Sequence, residues 1–114
     1  MKTPHEIGAY GEELALDYLL TQGMKLLQKN YRSGHYQIDL ILENEEAIIF
    51  VEVKASSKPP LQDPFDPRQL TRIKQAANRF LQANQKQKEF RLDLVHVKLY
   101  ETSINRIEHL KNVQ

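Results

Sequence analysis

A chain of 114 residues, 40% hydrophobic and 27% charged, has the size of one packed domain and the composition of a folded protein, which excludes a disordered tract. It contains no cysteine, so a disulfide framework and any thiolate metal site are excluded, and no run approaches the roughly 18 apolar residues of a membrane span. The net charge of +1 hides a segregation: residues 1–53 carry 4 basic and 9 acidic groups, residues 54–91 carry 9 basic and 3 acidic, and the rest balances at 3 and 3.

The amino-terminal stretch MKTPHEIGAYGEE lacks the apolar core of a signal peptide. The expectation is therefore a single domain over residues 1–114 in the cytoplasm. An acidic segment next to a basic one fits a cation site beside a polyanion-binding surface; it fits equally well two halves that pair with each other.

From about Pro4 to Gln22, Ile7, Leu14, Ala15, Tyr18 and Leu19 recur at helical spacing, and Gly23 stands where a helix stop belongs. MKLLQKNY reads as a strand, RSGH as a turn, and QIDLIL and AIIFVEV as two strands flanking the turn ENEE. The following ASSKPPLQDPFDP, with four prolines and no periodicity, is a loop of a length that suggests a role. Asp66-Pro67 then offers an N-cap and a proline at the first helical position, with Gln69 three residues after the cap as in a capping box. Leu70, Ile73, Ala77, Phe80 and Leu81 form the apolar stripe of a second helix running to about Asn84. FRLDLVHVKLY is a further strand, and INRIEHL a short one at an edge. Three strands on short turns form a meander, and the long crossover through the second helix sets the next strand parallel to one of them. The expected fold is α/β, in the order αβββαβ, with a mixed central sheet flanked by helices.

Strand alternation puts Phe50, Glu52 and Lys54 on one face of their strand. In the neighbouring strand it puts Gln37, Asp39 and Ile41 on one face and Ile38, Leu40 and Leu42 on the other. Gln37, Asp39, Glu52 and Lys54 thus come side by side. Alone, they would serve as the wet face of a hairpin. Glu12 changes the reading, because at 100° per residue it lies between Leu16 and Leu19, inside the arc of the first helix that faces the sheet. A carboxylate aimed inward needs a partner. A salt bridge to Lys54 is the structural answer; a metal shared with Asp39 and Glu52 is the chemical one. Three converging carboxylates require a proton or a cation, and hard oxygen ligands suit Mg²⁺ or Mn²⁺ better than zinc. A cation held by few carboxylates keeps positions for water and a phosphate oxygen, as metal-assisted phosphodiester hydrolysis needs.

GAYGEELALDYLLTQG, KNYRSGHYQIDLI, IIFVEVK and FRLDLVHV, in that order and spacing over residues 5–98, resemble the YraN-like bacterial family. These proteins look like members of the PD-(D/E)XK nuclease superfamily, related to archaeal Holliday junction resolvases. The resemblance implies a restriction-endonuclease-like core and a magnesium-dependent endonuclease, a hydrolase acting on duplex or branched DNA. It implies metal ligation by Asp39 and Glu52, a catalytic Lys54 that orients the attacking water or stabilises charge at the phosphate, and Glu12 completing or supporting the metal site. Where the family usually has Gly-Glu-Ile-Asp, this chain has Tyr36-Gln37-Ile38-Asp39, so Gln37 removes one negative charge and leaves a supporting hydrogen-bonding group. Symmetric cutting of two strands would take two sites, and so a homodimer by analogy.

Lys58, Arg68, Arg72, Lys74 and Arg79, with Lys86, Lys88 and Arg91 beyond them, form a set of candidate phosphate contacts. His96, in a strand interior, reads as a packed histidine, and His5, His35 and His109 lack metal-ligand spacing. Asp93 suits a bridge or cap as well as catalysis. Two other readings stand beside the nuclease: a nucleic-acid-binding module on the same fold that does not cut, and an assembly protein in which Glu12, Asp39, Glu52 and Lys54 form an ion-pair cluster.

Overall fold

A computed structural model describes residues 3–59, 66–99 and 106–113; the centre of the proline-rich loop lies outside them. Helix α1 (Pro4–Thr21) is started by Thr3, whose hydroxyl accepts the Glu6 N–H at 3.2 Å while the Glu6 carboxyl accepts the Thr3 N–H at 3.1 Å. That reciprocal pair satisfies two donors the first turn would otherwise leave open. Strands β1 (Lys25–Ser33), β2 (Tyr36–Glu43) and β3 (Ala47–Ser56) follow, then helix α2 (Pro67–Ala83), β4 (Glu89–Lys98) and β5 (Arg106–Leu110). The order across the sheet is β1-β2-β3-β4-β5. Only β3 and β4 run parallel, since α2 carries the chain back between them, whereas the other neighbours are antiparallel. This is the expected mixed α/β architecture of a restriction-endonuclease-like core, with one helix on each face.

Two apolar layers hold it. Ala15 and Leu19 of α1 pack on Leu40, Leu42, Ile49, Val51, Val95 and Val97. On the opposite face Ile73, Ala76, Ala77 and Phe80 of α2 pack on Ile38, Ile41, Ile48, Phe50 and Leu92. At about 1.5–3 kcal/mol for each large apolar side chain removed from water, these layers dominate the stability. The α1 contact is tight at one point: a Cβ on Gly11 would collide with the Ala55 methyl on β3. Glycine lets the helix axis approach the sheet there, one residue before Glu12.

The structure corrects one feature of β2. Strict alternation groups Ile38 with Leu40 and Leu42, but Ile38 joins Ile41 in the layer under α2 while Leu40 and Leu42 lie under α1. The alternation breaks at Asp39. Opposite it, between the pairs Lys29–Leu40 and Tyr31–Ile38, Asn30 adopts a left-handed φ of 50° that asparagine tolerates better than most residues. On the other side, regular pairing of β2 with β3 stops at Leu40–Val51. The two strands part at the residue expected to be a metal ligand.

Candidate active site

As β2 and β3 separate, the backbone N–H of Val53 loses its ladder partner and donates instead to Asp39 Oδ2 at 2.8 Å. The buried aspartate is thereby fixed at the fork. Glu52, one residue before Val53, hydrogen-bonds to the Asp39 carboxyl, and its Oε1 accepts from Gln69 Nε2 of α2 at 3.2 Å. Asp39 and Glu52 line a cleft of about 210 Å³ between the hairpin and α2, together with His35, Gln37, Gln69, Arg72 and Ile73. Lys54 follows two residues after Glu52 on the same strand face, half-buried.

The charges in this cleft are out of balance. Burial, and then the charge and hydrogen bond of Asp39, push the Glu52 carboxyl up to about 9, with the Lys54 ammonium acting in the opposite direction. Glu12 on α1 is likewise raised, by partial burial and then by Asp39, with Lys29 opposing. Its charge is felt at Glu52 as well. Among the described residues no ion pair joins Lys54 to Glu12, Asp39 or Glu52. The neutralising salt bridge that the sequence allowed is not made.

The donor set bears on the ion the sequence implied. Among the described residues, no group of three His, Cys, Asp or Glu side chains is gathered to hold a metal. Asp39 and Glu52 meet, while Glu12 acts on them through its charge, so the third ligand expected on α1 is not brought into one set with the other two. Two carboxyls in contact, one of them retaining a proton at neutral pH, beside an open polar cleft, fit a hard dication that keeps most of its water shell. Gln37 lines the same cleft, as its position next but one to Asp39 suggested.

The basic residues separate into different roles. Arg72 lines the cleft. Arg68 pairs with its own helix cap, Asp66, at 3.2 Å and is 86% exposed. Lys58 and Lys74 are exposed. Arg79 stacks over Tyr36, 4.6 Å from the ring centroid, and donates to the Ser33 carbonyl at 3.4 Å, bracing the β1–β2 turn. Lys88 bonds Glu43 at 3.2 Å and Arg91 bonds Asp93 at 3.0 Å, so these two are tied within the fold.

Two cleft residues escaped the sequence reading. Gln69 was legible only as a capping glutamine; its amide turns to Glu52 instead. His35 lies in the β1–β2 turn, and metal-ligand spacing was the wrong test for a residue that reaches the cleft singly. His96 is packed as expected, 2% exposed with Nε2 3.1 Å from Ser56 Oγ.

An αβββαβ core with an aspartate on β2 and Glu-x-Lys on β3 defines the PD-(D/E)XK nuclease-like class of proteins. Within that class, the model of the family described as Uncharacterised protein family UPF0102 matches residues 11–97, and the chain belongs to this family. It is 37% identical to a UPF0102 protein of Clostridioides difficile over 106 residues, covering 90% of this chain and 93% of the relative. With the UPF0102 protein of Syntrophomonas wolfei it shares 33% identity over 111 residues, 94% of this chain and 96% of the relative. With that of Dichelobacter nodosus it shares 36% over 115 residues, 97% and 90% of the two chains. Among the described residues, no helix is long and apolar enough to cross a membrane.

Proposed function

We propose that this protein is a divalent-metal-dependent endonuclease that hydrolyses phosphodiester bonds in DNA, with duplex or branched recombination and repair intermediates as its substrate class. One observation supports the reading: Asp39 and Glu52 meet at the strand fork, facing a cleft, and among the described residues neither makes an ion pair with a protein cation. A structural ion-pair cluster would instead close on Lys54, and it does not.

Asp39 and Glu52 would hold Mg²⁺ or Mn²⁺, which when bound activates water and offsets charge at the phosphate. Lys54 orients the attacking water and stabilises the charge that develops on the phosphoryl oxygens. Arg72 and His35 bind the phosphate from the walls of the cleft. Glu12 adds negative potential from behind and favours cation entry. Lys58 and Lys74 contribute sequence-independent, salt-sensitive contacts to the backbone. Gln37 supplies a neutral hydrogen-bonding group where a glutamate would add charge.

The test is incubation of the wild-type protein and a Lys54→Ala variant with branched, flapped, single-stranded and duplex DNA in Mn²⁺. Cleavage of at least one substrate, reduced about 100-fold or more in the variant, is expected. Equal products from both proteins would reject the active site. Salt-sensitive binding without cleavage would leave a non-cutting nucleic-acid-binding module on this fold.

A further inference from the structure

We infer that Gln69 is the positioning residue for Glu52, fixing one oxygen of that carboxyl so that the other is presented to a divalent cation; this rests on the metal-dependent reading above. Each carboxyl at the fork has one oxygen taken by a neutral protein donor. For Asp39 it is the Val53 N–H at 2.8 Å, and for Glu52 the Gln69 amide at 3.2 Å. The two arrangements are equivalent in chemistry although one donor comes from the backbone and the other from a separate helix.

The first turn of α2 places the amide. Asp66 caps the helix by accepting the Arg68 N–H at 2.9 Å, and the Gln69 N–H bonds the Asp66 carbonyl at 2.9 Å. Gln69 therefore leaves the helix from a first turn whose backbone is bonded to its cap residue. At this position a glutamine ordinarily folds back on the cap. Here the Asp66 side chain caps the Arg68 N–H, and the glutamine side chain crosses to β3 instead of folding back.

The neutrality of the donor matters. A lysine or arginine at position 69 would compete with the dication for Glu52 by forming its own ion pair. An amide satisfies a lone pair and adds no charge. Groups that hydrogen-bond a ligating carboxylate in this way typically change metal affinity by about 10–100-fold when removed.

Calorimetric titration with Mn²⁺ alone, on the full chain, tests the inference. Gln69→Met, which keeps the length but loses the donor, is expected to weaken binding by roughly 10–100-fold. Gln75→Met, on an exposed position of the same helix, is expected to change nothing. Gln69→Lys is expected to weaken binding at least as much as Gln69→Met with an unaltered circular dichroism spectrum, and it serves where the methionine variant does not fold. If Gln69 acts through Glu52, then in a Glu52→Gln background Gln69→Met costs nothing more; a merely structural effect would recur in full. Wild-type Mn²⁺ affinity in both Gln69 variants overturns the inference and leaves the nuclease reading intact. No Mn²⁺ binding by the wild type, or binding unchanged by Asp39→Asn, overturns both.

Discussion

Glu52 on β3 and Asp93 on the adjacent parallel strand β4 are both removed from water, and their surroundings treat them in opposite ways. For Asp93, burial favours the neutral form, but bonds from His109 Nε2 at 2.7 Å, the Asn112 N–H at 3.0 Å and Arg91 Nε at 3.0 Å outweigh it and hold the carboxyl below its usual range. His109 is steadied in turn by Tyr18, whose hydroxyl lies 2.9 Å from Nδ1. Glu52 has a neutral amide and another acid for hydrogen-bonding partners, and despite the opposing charge of Lys54 it rises to about 9. A buried acid whose donors include a guanidinium and an imidazole is complete and ties β4 to β5. One bonded to another acid, with no ion pair among the described residues, is left short of positive charge, and only the second arrangement has something to bind.

Removing the completed acid is expected to have the largest effect. Asp93→Ala leaves Arg91 without its carboxylate and frees the β5 end; it is expected to cost about 3–5 kcal/mol in urea unfolding, and a loss near zero would show that the network holds nothing. Next comes pH. Glu52 binds a proton more tightly in the folded protein than in the unfolded chain, so its contribution to stability is full below its ordinary value of 4.5 and is lost as pH rises toward about 9. Asp93 has the opposite sign: its contribution is full above 3.8 and falls away as acid protonates it. Glu52→Gln should therefore flatten the alkaline fall of the unfolding midpoint and leave the acid arm alone. Identical alkaline arms in wild type and variant would remove the argument for a strained carboxyl. Gly11→Ala, which drives a methyl into Ala55, is expected to destabilise by about 1–3 kcal/mol. It should also weaken Mn²⁺ binding if the approach of Glu12 matters to the site. Smallest is Thr3→Ala, which opens the α1 capping box for about 1 kcal/mol and should leave Mn²⁺ titrations unaltered.

Element order was legible because each boundary carries its own local chemistry. Asp66-Pro67 starts α2 as the sequence indicates, and Gly23 follows the end of α1. That Glu12 is partly buried and acts by its charge on Asp39 and Glu52 fits its place on the helix, since a helix's angular geometry does not depend on what it packs against. What escaped has non-local causes. Ile38 changes sides where Asn30, across from Asp39 on a different strand, is left-handed, and a period of two cannot register that. Gln69 carried a correct local signal, the capping position, that a longer-range bond overrode. Arg79 looked like its basic neighbours until the β1–β2 turn occupied its guanidinium. The partners of Asp93 lie as far as 19 residues along the chain, beyond any periodic pattern.

Unequal pairing of β3 gives the cleft a mechanical character. Every residue from Ala47 to Ser56 is matched on β4, whereas β2 meets β3 only from Leu40 to Glu43. Glu52 and Lys54 therefore ride on an anchored jaw, and His35, Gln37 and Asp39 on one attached at its far end. A swing of the β1–β2 hairpin that widened the gap would be opposed by the Val53–Asp39 bond, by Arg79 where it clasps the turn, and by the packing of Tyr31 and Ile38 on α2.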